Sequence, residues 1–183
     1  MKVLVVSATQ PDDDLVSPTL EALAAHDVSH LDLEATDFTL AMSTEERRAY
    51  HDPPRNLMAE ETLAAADLVR ATDAMVFVAP MVASTIPARM KGFLDRVLIE
   101  GVAFNFDDEG VYQPAMGHIS RVGLVVRSPH SRRELVSLRD GAHRTILRSI
   151  RLNCGYTTRA KYVRLGPGDD ASKAVAKAFR SWK

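Results

Sequence analysis

The sequence predicts an α/β protein: one five-stranded parallel sheet, order 2-1-3-4-5, covered by helices on both faces. Three observations lead there. Five short apolar runs punctuate the chain, a helical pattern follows each of them, and every spacer is long enough to carry a crossover. Right-handed crossovers leave few topologies for such a chain, and five strands favour this order. At 183 residues the chain suits one domain spanning 1–183.

The first run, Val3-Leu4-Val5-Val6, ends at Ser7-Ala8-Thr9, which reads as a buried strand entering a loop. Ser17-Pro18 then reads as a helix cap with proline at the first helical position, opening a helix over Thr19–Ala25. Val28–Leu33 is a weaker second strand. Leu57–Ala71 carries Leu63, Ala64, Leu68 and Val69 at helical spacing. Ala74–Ala79, stopped by Pro80, is the strongest strand. Pro87–Leu98 starts with proline and has an apolar stripe of Met90, Phe93, Leu94, Val97 and Leu98. Val122–Val126 is the fourth strand. A single helix is expected over Leu135–Leu152, with Leu138, Ala142, Ile146, Leu147 and Ile150 inward. Lys161–Leu165 is the fifth strand, and Asp170–Trp182 the closing helix. Residues 34–56 and 99–118 form two long connections, and long ordered loops in compact domains are often functional.

Composition narrows the function. Hydrophobic residues at 46% and charged residues at 26% are those of a folded globular chain. The longest apolar runs fall far short of the roughly 18–20 residues of a membrane span. No leader-like pattern opens the chain, so a cytoplasmic location is the expectation. Cys154 is the only cysteine, which excludes an intramolecular disulfide and a cysteine-rich zinc site. The net charge of −1 argues against general nucleic-acid binding, which rests on phosphate neutralisation. That total hides an asymmetry: 7 Lys/Arg against 15 Asp/Glu in residues 1–92, then 16 against 9 in residues 93–183.

In a sheet of this order a ligand sits at the carboxyl ends of the strands, at the switch point between strands one and three. Three loops are thereby selected: 7–17, 80–87 and 127–131. The first runs into a helix N-terminus, whose free N–H groups favour a phosphate, with Thr9, Ser17 and Thr19 as hydroxyl donors. Asp12, Asp13 and Asp14 in the same loop oppose an anion. Neither a Gly-rich dinucleotide fingerprint nor a P-loop lysine is present. The second loop, Pro80-Met81-Val82-Ala83-Ser84, offers small side chains and backbone amides beside a flat ligand. The third carries Arg127, Ser128 and His130, and His130 is the candidate general acid or base. Arg127, Arg132 and Arg133 form a basic cluster. The histidines show no metal-ligand spacing beyond His26 and His30, which fall on different elements, so no metal site is expected. Cys154 reads as buried packing and Asp107-Asp108-Glu109-Gly110 as a turn.

Pro80-Met81, Ser84-Thr85-Ile86-Pro87-Ala88, Lys91-Gly92-Phe93-Leu94-Asp95-Arg96-Val97 and Gly101-Val102-Ala103-Phe104 together resemble NAD(P)H:quinone oxidoreductases with a flavodoxin-like fold. Glu46–Pro54, Arg144–Leu147 and Leu152–Gly155 extend the similarity over nearly the whole chain. The resemblance implies a three-layer α/β/α sandwich binding FMN or FAD. NAD(P)H would be the co-substrate and a quinone-like small molecule the electron acceptor, the two reacting in turn in a ping-pong exchange. It also implies a homodimer. The positions that would meet the flavin are Thr9, Ser17, Thr19, Pro80, Met81, Val82, Ala83, Ser84, Arg127 and Ser128.

The sequence departs from that family at the same positions. Thr9 stands where members place His, and Asp14 and Val16, or Ser17 and Thr19, where they place Ser and Asn. Val82 and Ala83 replace an aromatic pair and cannot stack on a ring. Arg127-Ser128-Pro129-His130 replaces Thr-Thr-Gly-Gly, and Pro129 has no N–H to offer. Two functions therefore stay open: a flavin-dependent oxidoreductase, or a protein of this fold that has lost flavin and binds or transforms an aromatic metabolite without redox chemistry.

Overall fold

The computed structural model describes residues 1–182 apart from 11, 54 and 58. Pro11 of the first loop, Pro54 of the 46–54 stretch and Met58 of the predicted helix over 57–71 lie outside the described residues.

Five parallel strands form the sheet: β1 (Lys2–Ser7), β2 (Asp27–Asp32), β3 (Ala74–Pro80), β6 (Arg121–Arg127) and β7 (Arg159–Leu165). Their order is β2-β1-β3-β6-β7. A separate antiparallel hairpin of β4 (Phe104–Phe106) and β5 (Tyr112–Pro114) occupies the second long connection. With the hairpin set aside, this is the expected order 2-1-3-4-5.

Alternation along the buried strands builds a core on each face. Leu4, Val6, Met75, Phe77, Ala79, Val122, Leu124 and Val126 point one way, into a core shared with α3 (Glu60–Arg70), α4 (Ala88–Val97) and the segment 141–150. Val3, Val5, Ala74, Val76, Val78 and Val125 point the other way, against α1 (Val16–Leu23) and α7 (Ala171–Phe179). Fully burying each Val, Leu, Met or Phe side chain among these is worth about 1.5–3 kcal/mol, which is why near-continuous apolar runs mark strands covered on both sides.

Four elements differ from the sequence expectation. α1 starts at Val16, with Leu15 as an N-cap that makes no side-chain bond, so Ser17 and Pro18 lie inside the first turn. Proline is tolerated there because its missing N–H has no intrahelical partner to lose. α3 starts at Glu60 and buries Thr62, Ala65, Ala66 and Val69, while Leu63 stays exposed. The first long connection contains a short helix, α2 (Thr44–Arg48), held by a capping box between Ser43 and Glu46. The helix expected over 135–152 is interrupted. α5 (Arg132–Ser137) stops, Arg139 and Asp140 take positive φ values of 58° and 29°, and α6 (Gly141–His143) runs on as a π-helix, Arg144–Ile150. Leu138, expected inward, is therefore exposed.

Candidate functional site

The tips of β1, β3 and β6 come together as the strand order requires. Ala8 N donates to Val78 O at 3.0 Å, so the first loop leaves the sheet beside β3 with Thr9 nearly buried. Pro80 pairs in register with Arg127, and Met81 N donates to Arg127 O at 2.8 Å. Met81 is buried below Ser128, whose hydroxyl lies 3.3 Å from its sulfur.

Beyond Met81 the chain makes a tight turn. Val82 and Thr85 exchange two backbone hydrogen bonds of 2.9 Å, with Ala83 and Ser84 between them at φ 46° and 63°. Positive φ at two successive non-glycine residues costs of order 1–3 kcal/mol each and persists only when neighbours hold it. The neighbour here is Gly141, whose N–H donates to Ser84 O at 2.9 Å. A Cβ on Gly141 would stand 2.7 Å from that oxygen, so only glycine allows the approach. Among the described residues the N–H groups of Ala83 and Ser84 have no protein acceptor. Ser84 Oγ shares a 3.3 Å hydrogen bond with His130 Nε2.

The third loop is closed on itself. Ser128 N donates to Leu165 O at 2.8 Å, His130 N donates to Ser128 Oγ at 3.2 Å, and Arg164 Nη1 donates to His130 O at 3.0 Å. Ser128 is fully buried, so it shapes the loop while His130 faces the turn. Thr19 is also fully buried, with its hydroxyl donated back to Leu15 O at 2.8 Å, so it offers nothing to a ligand. Ser17 is exposed on the first turn of α1. Thr9, Met81, Val82, Ala83, Ser84, Arg127 and His130 are thus gathered at one end of the sheet, and Thr19 is withdrawn from it.

The aspartates of the first loop and Arg127 are plain in the sequence, but their pairing is not. The Arg127 guanidinium bonds Asp14 and lies 3.6 Å from Asp13 Oδ1, an ion pair too long for a hydrogen bond. A further bond of 3.3 Å runs from Arg127 to Gly166 O. The Asp14 side chain is 74% exposed and that of Asp13 only 10%. Burial pushes the Asp13 carboxyl above its usual range, against the pull of Arg127, and Asp13 Oδ1 has no hydrogen-bond partner among the described residues.

The sequence pattern of the flavodoxin-like fold family matches residues 1–182. The chain belongs to that family. As a flavodoxin-like protein it is similar to an FMN-dependent NADH:quinone oxidoreductase of Gluconacetobacter diazotrophicus, 35% identical over 106 residues, which are 58% of this chain and 47% of that one. The chain spans about half the length of the curated relatives it matches. Among solved structures, the NAD(P)H:quinone oxidoreductase of Methanothermobacter marburgensis superposes with a TM-score of 0.78 at 22% identity, covering 99% of this chain and 96% of that one. An FMN-dependent NADH-azoreductase of Bacillus anthracis in complex with FMN gives 0.75 at 14% identity, covering 96% and 94%. At those identities the likeness is one of fold.

The flavodoxin-like site can be tested against FMN from its own atoms. At the ring end, the turn 82–85 presents two N–H groups without protein acceptors and side chains too small to obstruct a flat ligand. At the other end lie the start of α1 and the Arg127 guanidinium, with the buried Asp13 carboxyl beside them, which opposes an anion when ionised and can donate to one only in the protonated form that burial favours. The Asp14 bond to Arg127 stands in the way, but a pair with so exposed a carboxylate is worth only about 0–1 kcal/mol. A bidentate phosphate contact to arginine is stronger than that. The residues present fit the group, Arg127 being the one that would exchange Asp14 for phosphate.

Proposed function

We propose that the chain is a flavin-dependent NAD(P)H:acceptor oxidoreductase that uses FMN and reduces a quinone-like small molecule, the two substrates reacting in turn. The observation that carries this reading is the gathering of Arg127, the strained turn 82–85 and His130 at the carboxyl ends of β1, β3 and β6. The FMN dependence printed for the curated relatives supports the choice of cofactor.

Bound FMN would supply the hydride chemistry, accepting from one substrate and donating to the other. The protein's own groups bind, orient and manage protons. Arg127 would hold the phosphate, and the α1 N-terminus would add N–H donors and the positive end of its dipole. Ala83 and Ser84, in the turn that Gly141 holds, would offer their free N–H groups to the ring. His130 Nε2, positioned by Ser84 Oγ, holds the proton that an acceptor oxygen takes up on reduction. Assembly as a homodimer belongs to the same reading.

A second reading keeps the crevice and drops the flavin: an aromatic metabolite bound or transformed without redox chemistry. It is favoured by one observation, that Arg127 is already neutralised by Asp13 and Asp14.

FMN titration followed by flavin fluorescence separates the two. Saturable quenching is expected. The Asp14→Asn variant should bind several-fold more tightly, because it removes the carboxylate that competes with phosphate for Arg127 at an interaction of roughly 1 kcal/mol. His130→Gln should retain FMN and the melting temperature while losing most of the turnover with NAD(P)H and a quinone. Colourless protein that stays unquenched with excess FMN, in wild type and Asp14→Asn alike, leaves the second reading.

A further inference from the structure

Alternation along the edge strand β7 turns Val163 and Leu165 toward α7, so Tyr162 and Arg164 face the opposite core. In register they stand beside Leu124 and Val126 of β6, just ahead of the loop that carries His130. Leu124 and Val126 are apolar and fully buried, whereas both β7 residues end in polar groups. Each of those groups is spent on the loops at the strand tips. Arg164 Nη1 donates to His130 O at 3.0 Å. Tyr162 Oη donates to Asp140 Oδ2 at 2.8 Å, and the other Asp140 oxygen accepts from His143 N at 3.0 Å. Burial, reinforced by Asp140, pushes the Tyr162 hydroxyl well up, so it keeps its proton and stays a donor. The His143 ring packs against the Tyr162 ring with 5.3 Å between centroids.

From Asp140 a short path runs to the imidazole. Arg139 and Asp140 take φ values of 58° and 29°, and strain of that kind persists only where neighbours hold it. Asp140, bonded through both carboxylate oxygens, is held in that way. Gly141 follows it in the chain and donates its N–H to Ser84 O at 2.9 Å. Ser84 Oγ then meets His130 Nε2 at 3.3 Å, and among the described residues the imidazole has no other hydrogen-bond partner. One strand thus holds His130 twice: its carbonyl directly through Arg164, and its ring through Tyr162, Asp140, Gly141 and Ser84.

We infer that Tyr162 and Arg164 are positioning residues for His130, fixing the direction in which its imidazole meets the electron acceptor, a role that rests on the reading of His130 as holder of the acceptor's proton. Neither residue touches the reacting atoms. Without the Tyr162 hydroxyl, Asp140 keeps only the His143 N–H, the strained turn relaxes, and the Ser84 hydroxyl loses its place beside the ring. Without Arg164, the carbonyl end of His130 is released. A misplacement of about 1 Å between reacting groups can cost on the order of a hundredfold in rate, so holds of this kind matter at a distance from the chemistry.

The test measures kcat and KM for a quinone, together with the His130 ring resonances, in the full chain supplied with FMN. Tyr162→Phe removes one hold and should lower kcat about tenfold while KM for the quinone moves less than about twofold. It should also shift the His130 resonances. Because its influence passes through the Ser84 hydroxyl, it should cost little further in a Ser84→Ala background, which keeps the backbone bond to Gly141. Arg164→Met acts on the carbonyl of His130, so its loss should persist there. Val163→Ala, on the opposite face of the same strand, should lower the melting temperature and leave kcat and the resonances unchanged, which separates positioning from stability. A variant that leaves the His130 resonances in place overturns the role of its residue. An equal loss from Tyr162→Phe with and without the Ser84 hydroxyl, or the same loss from Val163→Ala, overturns the route through Ser84. Full turnover in His130→Gln, or no turnover with FMN in the wild type, would instead remove the reading beneath, and the resonances would still decide whether the two residues hold the ring.

Discussion

Arg96 illustrates how much one side chain can depend on its surroundings. On sequence it belongs to a motif and to the polar side of an amphipathic helix, yet it is 3% exposed. It donates to Glu46 Oε1, to Thr39 O at 2.7 Å and to Glu61 Oε1 at 3.3 Å, and its guanidinium sits 5.3 Å from the Phe38 ring centroid. Three residues of this arrangement, Phe38, Thr39 and Glu46, come from the long connection 34–56, which it staples to α4. Arg96→Met would strand the buried Glu46 carboxylate, and the expected loss is about 3–5 kcal/mol in urea unfolding. The pH dependence has a definite sign. Burial alone would raise the Glu46 carboxyl, but hydrogen bonds from Arg96 and Ser43 outweigh it and hold the group below its ordinary range. Its stabilisation is therefore present above the unfolded value, near the ordinary 4.5, and is lost as pH falls through the folded one. Glu46→Gln should be clearly less stable than wild type at neutral pH and approach it in acid. A constant gap down to the most acidic folded condition would refute the ionised role.

At the scale of elements, legibility followed the strength of local signals. β1, β3 and β6 are near-continuous apolar runs buried on both faces, and nothing else in the chain competes with that pattern. The Ser43–Glu46 capping box was a readable signal for α2 that apolar periodicity passes over, because so short a helix has no stripe. The break at Arg139–Asp140 has one local signal, the Asp140-Gly141 pair, which the apolar spacing of 135–152 outweighs on sequence. It is imposed by tertiary contacts, with Asp140 tied to Tyr162 and Gly141 pressed on Ser84. The turn 82–85 depends on the same contacts. Gly141→Ala would set a Cβ against backbone rather than a yielding side chain, and overpacking of this kind costs about 1–3 kcal/mol. The loss should appear in denaturant unfolding, and the His130 ring resonances should shift, because Ser84 must move. Unchanged His130 resonances would mean that Gly141 does not position the turn.

At the scale of the whole molecule, the acidic first half and basic second half meet across the fold. Arg96 and Arg127 from the second half pair with Glu46, Glu61, Asp13 and Asp14 from the first. Such pairings between distant positions cannot be read from local pattern, whereas strand order could be, because handedness and crossover length restrict it. The two apolar layers meet only through the sheet, and one close contact tests whether they act as a unit. Gly123 on β6 lies under Phe179 of α7, where a Cβ would stand 3.0 Å from the ring and 3.2 Å from a Val76 methyl. Phe179 in turn packs edge-on against Trp182, at 4.7 Å between centroids, the only tryptophan in the chain. Phe179→Ala removes a fully buried ring and should cost about 3–5 kcal/mol. Gly123→Ala should destabilise the wild type but be tolerated beside Phe179→Leu, giving a coupling of roughly 0.5–3 kcal/mol in a double-mutant cycle. If both layers share one cooperative transition, Trp182 fluorescence and far-ultraviolet circular dichroism must lose signal at the same denaturant concentration in every variant. A fluorescence transition that precedes the other in Phe179→Ala would mean that the α1–α7 layer can melt from a sheet still held by α3, α4 and the 141–150 segment.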